Sequence, residues 1–294
     1  MGLLGLIWGG SFTANHAALA EVPVFTTVAF RVTGAALCLW AAIAILRLPV
    51  PKSPRTFLAF AVMGVLNNVI PFSLIVWGQS HIPSGLASIL NASTAIFTVV
   101  LATFVLADER LTPTKAIGAL IGLMGVIVVI GPSALASFDL TSLGQIAVLG
   151  ASTSYAFASI FARFFLTGLR PEVSAAGMLS GAALVMVPVA LWHDGAPSLH
   201  YGVETWAALA YLALVASAFA YMLYYVVLRL AGAGNLSLVT LIVAPVSVVL
   251  GALFYGEALH PSAYAGFALL AVGLLTIDGR LHRRPARPAP QESA

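Results

Sequence analysis

The sequence predicts an all-helical integral membrane protein, with ten transmembrane helices arranged as two inverted five-helix repeats and both termini cytoplasmic. Three observations carry that expectation. The chain is 61% hydrophobic and 8% charged with a mean hydropathy of +1.02, whereas a soluble domain carries about 25% charged residues. A membrane helix takes about 20 mostly apolar residues, so ten of them with short loops use up nearly all of the chain. The second observation is a duplication. The stretch from Asp108 to Gly125 returns as Tyr255 to Gly273, with Glu109, Leu111, Pro113, Gly118 and Gly125 reappearing as Glu257, Leu259, Pro261, Gly266 and Gly273, always 148 residues later in a chain of 294. A period that long with two copies is a doubled domain rather than a solenoid. The third is charge placement. With the N-terminus inside, Arg47, Lys52, Arg55, Arg110, Lys115, Arg170, Arg229 and the arginines from Arg280 onward fall on the cytoplasmic side, and Arg163 near a cytoplasmic helix end. The outer loops hold Glu21, His81, Asp139, Asp194, Glu204 and Glu257. Five spans per unit is an odd number, so the second copy enters the bilayer from the opposite side.

Taken in order, the first span, Gly2–Ala18, is apolar except for Trp8, Ser11 and Asn15, which share one helical face. It ends in Ala18-Leu19-Ala20, which resembles a signal-peptidase site. The segment before it lacks Lys and Arg, so it is read as a retained span. The second, Val24–Leu46, follows Pro23 and contains Arg31, the one guanidinium placed inside the membrane, and Cys38. The third, Phe57–Gln79, is interrupted by Asn67, Asn68 and Pro71. Proline removes a backbone donor and frees the carbonyl four residues back, here that of Asn67, so a helix irregularity is expected. The fourth, Ser84–Leu106, lines up Ser88, Asn91, Ala95 and Thr98. The fifth, Thr114–Ile130, has Thr112 as its N-cap and Pro113 in its first turn, where the missing N–H costs nothing. Gly118 and Gly122 allow another helix close approach.

The junction Gly131–Leu140 leads to the sixth span, Leu143–Leu166, where Ser152, Tyr155 and Ser159 repeat the spacing of the first. The seventh, Val173–Trp192, follows Pro171. The eighth, Thr205–Leu228, aligns Ser217, Tyr221 and Tyr224, with Tyr225 beside them. The ninth, Leu236–Tyr255, contains Pro245, which frees the carbonyl of Leu241. The tenth, Ser262–Ile277, begins after His260 and Pro261. The chain divides into a first repeat at 1–133, a second at 134–279 and a basic, proline-rich cytoplasmic tail at 280–294.

The repeat itself carries a resemblance. Glu109-Arg110-Leu111-Thr112-Pro113, continuing through Gly118, Leu120-Ile121 and Gly125-Val126, resembles the EamA repeat of the drug/metabolite transporter superfamily. So do the Trp8-Gly9-Gly10-Ser11-Phe12 opening and the spacing from Pro23 to Arg31. The likeness covers nearly the whole chain and is nearest to bacterial amino-acid and metabolite exporters of the YddG type. It implies ten helices as two inverted EamA repeats with both termini cytoplasmic. The second copy departs from the pattern: Leu179 stands opposite Arg31, and Tyr155-Ala156-Phe157 replaces the Trp-Gly-Gly-Ser-Phe run. Any role of Arg31 or Trp8 therefore belongs to one half only.

Polar side chains are costly in hydrocarbon and turn towards the bundle interior. On that ground the substrate-facing candidates are Trp8, Ser11, Asn15, Asn67, Asn68, Trp77, Asn91, Tyr155, Ser159, Tyr221 and Tyr224. Aromatic walls with a few hydrogen-bonding groups suit a small organic molecule. Each also has a plain structural reading, since serines and threonines bond their own helix carbonyls and aromatics near span ends anchor at the interface. Arg31, Pro71, Glu109, Pro113, Pro245, Glu257 and Pro261 are read as structural or hinge residues. For Arg31 the two readings are a carboxylate held bidentately, or a side chain that snorkels outward or satisfies carbonyls and Glu21. His16 and His81 lie near outer span ends without metal-ligand partners.

One cysteine excludes an intrachain disulfide and a thiolate cluster, and no metal or other cofactor is expected. The basic residues sit in loops and a tail, the membrane pattern rather than a nucleic-acid footprint. No Asp or Glu falls near the middle of a span, which disfavours a proton antiporter with a central carboxylate. There is neither a phosphate-binding Gly-Lys-Ser/Thr loop nor a His-Glu-x-x-His zinc motif. The expectation is a multi-pass protein of the bacterial inner membrane, a monomer or a homodimer, whose partners are a small-molecule substrate and the bilayer. Its expected work is the export of neutral or zwitterionic metabolites, foremost apolar and aromatic amino acids, by alternating access. Export of a nucleobase, sugar or drug, an intramembrane enzyme, and a receptor are the other readings.

Overall fold

The structure is a computed structural model that describes residues 1–105, 112–130, 140–166, 168–237 and 239–277. Among the described residues every regular element is helical. Helix α1 is Gly2–Leu19 and α2 is Val24–Ile45. Helices α3 (Pro54–Gly64) and α4 (Ile70–Gln79) are joined through a π-helical segment, Val65–Val69. After α5 (Ser84–Asn91) and α6 (Thr94–Val105) come α7 (Pro113–Ile130), α8 (Leu140–Phe165) and α9 (Pro171–His193). Helices α10 (Val203–Ala210) and α11 (Ala220–Ser237) flank a second π-helical segment, Tyr211–Phe219. The last two are α12 (Thr240–Tyr255) and α13 (Pro261–Ile277). Six of the resulting rods, at Val24–Ile45, Pro54–Gln79, Ser84–Ala102, Thr141–Phe165, Pro171–His193 and Val203–Val227, are long and apolar enough to cross a membrane. Side chains such as Leu37, Phe104, Leu184 and Leu253, between 67% and 82% exposed, stud the outside of the bundle. Water would penalise such a surface and lipid does not.

Local chemistry sets the ends. Pro54, Pro113, Pro171 and Pro261 each occupy the first position of a helix, where proline's fixed φ helps and its absent N–H is not missed. The Thr112 hydroxyl accepts from the Lys115 N–H at 3.2 Å, so the expected cap of α7 is present. His260 caps α13 through Nδ1, which accepts from the Ser262 N–H at 3.3 Å. Helix α12 stops at Gly256, whose φ of +63° only glycine adopts freely. The Gly256 and Glu257 amides then close back on Ala252 and Gly251, both at 3.2 Å.

Three features differ from the expected spans. The fourth is two helices, broken at Ala92–Ser93. The eighth runs on to Ser237 rather than stopping at Leu228, and the ninth starts at Thr240 rather than Leu236. A helical backbone ladder is indifferent to side-chain polarity, so it outlasts the apolar run. Pro71 does mark an irregularity, the π-helical segment just before it, while α12 continues straight through Pro245. Glu109, the junction at 133/134 and the tail at 280–294 lie outside the described residues.

Packing follows the small residues. Helices α7 and α13 run antiparallel in backbone contact: a Cβ on Gly118 would meet the Gly273 carbonyl at 2.7 Å, and one on Gly266 the Gly125 carbonyl at 2.7 Å. The duplicated glycines thus pair crosswise. Gly64 and Gly181 bring α3 equally close to α9. The remaining contacts come in matched sets: α1 packs on α12 and on the rod α10–α11, as α8 packs on α5–α6 and on the rod α3–α4, and α2 lies against α9.

Candidate functional site

The first span of each half reaches a carbonyl that a π-helical segment leaves without its usual helical partner. In such a segment the ladder shifts from i−4 to i−5, freeing an acceptor. The Trp8 indole N–H donates to the Ala216 carbonyl at 3.1 Å, and the Ser154 hydroxyl donates to the Leu66 carbonyl at 2.7 Å. These contacts hold α1 and α8 at the two sides of a central cavity of about 780 Å³.

Its aromatic wall is built by Trp8, Tyr155, Tyr221, Tyr224 and Tyr225. The Trp8 ring meets Tyr221 edge-on at 6.2 Å and Tyr224 at 6.0 Å, and Tyr224 stands perpendicular to Tyr225 at 5.1 Å. Edge-to-face geometry suits the ring quadrupoles and fixes each orientation. The cavity is also lined by Asn67, beside Tyr221, and by Asn91, Thr94 and Thr98 of the broken fourth span. Asn67 donates through Nδ2 to the Tyr221 hydroxyl at 2.9 Å, and that hydroxyl donates to Asn68 Oδ1 at 2.9 Å. Asn68 is fully buried behind the wall and holds Tyr221 in place rather than lining the cavity.

Of the sequence candidates, Trp8, Ser11, Asn15, Asn67, Asn91, Tyr155, Ser159, Tyr221 and Tyr224 are brought together around this space. The hydroxyls of Ser11 and Ser159 donate to their own helix, to the Trp8 and Tyr155 carbonyls at 2.6 and 2.9 Å. Trp77 is not among them. Its ring lies tilted against His81 at 4.5 Å and faces a shallow dimple beside Phe25 and His193 at the bundle's outside.

Arg31 also borders the cavity, at 4% exposure. It neither snorkels outward nor reaches Glu21. Its Nε donates to Ser217 Oγ at 2.8 Å, Nη2 approaches the Ala216 carbonyl at 3.5 Å, and its Cζ sits 3.8 Å over the Phe72 ring. Glu21 is engaged elsewhere: the Thr205 hydroxyl and the Gly202 N–H, at 2.7 Å, hold its carboxyl below the ordinary value.

One end of the cavity is sealed. Asn15 Nδ2 donates to Gln79 Oε1 at 2.9 Å, and Gln79 Nε2 donates to the Phe12 carbonyl at 2.8 Å and to Ser84 Oγ at 3.1 Å. Just beyond, Glu257 caps α5, its two oxygens accepting from the Ser84 and Gly85 amides at 2.8 and 3.0 Å. Asp194 does the same for α2 through the Thr26 amide and hydroxyl, at 2.8 and 2.9 Å. Glu21, Asp194 and Glu257 thus tie helices together at this end. The opposite end reaches the exposed Arg163, Gly168 and Arg170. Asn15 was among the sequence candidates, whereas Gln79 was not, although a lone amide closing an apolar run was a signal for it. No group of three or more His, Cys, Asp or Glu suited to a metal occurs among the described residues.

A sequence profile of the EamA-like transporter family matches residues 1–131 and 142–277. The probable terminal-alkyne amino-acid exporter of Streptantibioticus cattleyicolor is 30% identical over 289 residues, covering 96% of this chain and 94% of that protein. The probable amino-acid metabolite efflux pump of Escherichia coli K12 is 27% identical over 288 residues, covering 92% and 91%. A solved crystal structure shares the fold with a TM-score of 0.70 at 20% identity, over 95% of this chain and 96% of that one.

Proposed function

Because the chain belongs to the EamA-like transporter family, we propose that it is a secondary transporter of a bacterial cell membrane. It exports small neutral or zwitterionic metabolites, foremost apolar and aromatic amino acids, by alternating access. The observation that carries this reading is the cavity of about 780 Å³. It is walled by Trp8 and tyrosines, sealed by Asn15 and Gln79 at one end and reached from the other past Arg163 and Arg170. That volume lies within the range of about 300–1,000 Å³ usual for small-molecule sites.

Ten spans in two inverted repeats fit the matched contacts. Crosswise pairing of Gly118 with Gly273 and Gly125 with Gly266 is what a two-fold axis in the membrane plane demands of corresponding fifth and tenth spans. By the positive-inside rule the end with Arg163 and Arg170 faces the cytoplasm, so this is the inward-open state, loaded from inside. Release outward then requires the Asn15–Gln79–Ser84 bonds to part. At about 1 kcal/mol net each, they are within what differential substrate binding shifts. The relatives' names, an amino-acid exporter and an amino-acid metabolite efflux pump, support the same substrate class.

The test is efflux from proteoliposomes preloaded with the proteinogenic amino acids. Saturable release above protein-free vesicles is expected, favouring aromatic and branched side chains. No release of any amino acid contradicts the proposal.

A further inference from the structure

We propose that Arg31 is the carboxylate receptor of the cavity, and that a free carboxylate is what admits a solute to transport. The inference rests on the transport reading above and adds a chemical requirement to it. A guanidinium at 4% exposure within a membrane span is a buried charge, which proteins retain when something compensates it. Among the described residues no carboxylate comes within ion-pairing distance of Arg31. Glu21 is turned to Gly202, and Asp194 and Glu257 cap helices at the sealed end. What surrounds Arg31 fixes its orientation without neutralising it. Nε is tied to Ser217, Nη2 approaches the Ala216 carbonyl and the face of the group lies on Phe72, while no hydrogen bond engages Nη1 among the described residues and the side chain borders the cavity.

A planar fork held through Nε, by a long contact from Nη2 and by one face presents its remaining donors in a set direction. That is the arrangement which accepts a carboxylate through two parallel bonds. Arg31 and Trp8 share the Ala216 carbonyl, so the charge sits at the foot of the aromatic wall. A carboxylate on the fork leaves the rest of the solute against Trp8 and the tyrosines. The second repeat supplies no counterpart, since Leu179 holds the equivalent position and is fully buried in the apolar core. The site is thus one-sided and takes one carboxylate. Solutes of the same shape whose carboxylate is missing or masked leave the charge unpaired. Cationic amines add repulsion.

The experiment uses the full chain in proteoliposomes preloaded with the proteinogenic amino acids together with the amines left by their decarboxylation and the corresponding amides, with efflux read by mass spectrometry. Acids are expected to leave at least roughly a hundredfold faster than their amines and amides, the discrimination typical when a buried partner is left unpaired. Arg31→Lys is expected to raise KM by about tenfold with the same selectivity, since a point charge remains but the fork is gone. Arg31→Gln is expected to abolish the preference for acids. Amines released as fast as their parent acids by the wild type overturn the assignment while leaving transport standing. So does an Arg31→Gln protein that keeps wild-type KM and selectivity. No efflux of any solute removes the transport reading and this inference with it. The wild-type comparison involves no substitution, so a variant that fails to fold does not decide the outcome.

Discussion

Tyr221 is the residue on which the cavity wall turns. Its hydroxyl accepts from Asn67 and donates to Asn68, and its ring is braced by Trp8 and Tyr224. Removing that one oxygen leaves two buried amides short of a partner, a cost of about 1–3 kcal/mol. Tyr221→Phe is therefore expected to lower the unfolding temperature in detergent by several degrees and to raise KM. An unchanged melting temperature and KM would remove Tyr221 from the site's framework. At this scale the sequence was partly legible. Helical spacing put Trp8, Asn15, Tyr155 and Tyr221 on interior faces, because a polar or aromatic side chain in an apolar run has nowhere else to go. It did not separate Trp77 from them, since an aromatic near a span end satisfies the same rule by packing against His81 at the outside. Nor did it foresee Ser217 and Phe72 as the neighbours of Arg31, which tertiary packing alone selects.

Among the elements, α7 and α13 share the most extensive contact. Their duplicated glycines were the plainest repeat in the sequence, and the structure brings those same glycines against one another. Gly266→Val would push a branched side chain into the Gly125 carbonyl, 2.7 Å from where the Cβ must lie, and into Val129. Without room to repack, such overpacking costs about 1–3 kcal/mol or more. The expected result is a sharply reduced yield of monodisperse protein, against little change for Leu120→Val on the exposed flank of α7. Equal yields for the two would mean that the pair is not a packing constraint. The irregular elements were less legible. Asn67, Asn68 and Pro71 pointed to a helix irregularity, because proline cannot close its turn, and the structure resolves it as the first π-helical segment. The second, Tyr211–Phe219, contains neither proline nor glycine, and the Ala216 carbonyl within it accepts from Trp8 and Arg31. The break at Ala92–Ser93 likewise lacks any local breaker residue.

For the whole molecule, the apolar composition made a helical membrane protein legible, and with the 148-residue offset it led to the expectation of two odd-numbered halves placed head to foot. The contacts of α1 on α12 and of α8 on α5–α6 are consistent with the inverted pair proposed above. Which end is shut could not be read from the sequence, because the Asn15–Gln79 seal joins residues 64 positions apart through tertiary contact alone. The central claim is that one cavity between the halves opens by turns to each side, with the Arg163 end open here. The most direct measurement is the reaction of Ser159→Cys, part-exposed in the cavity one helical turn inside that mouth, with a membrane-impermeant thiol reagent in a Cys38→Ser background, applied from either side of oriented vesicles. The account predicts rapid labelling from the cytoplasmic side without substrate, and slower labelling when a transported amino acid draws the protein towards the outward-open state. Labelling only from the outer side, or at a rate that no transported solute alters, would contradict it.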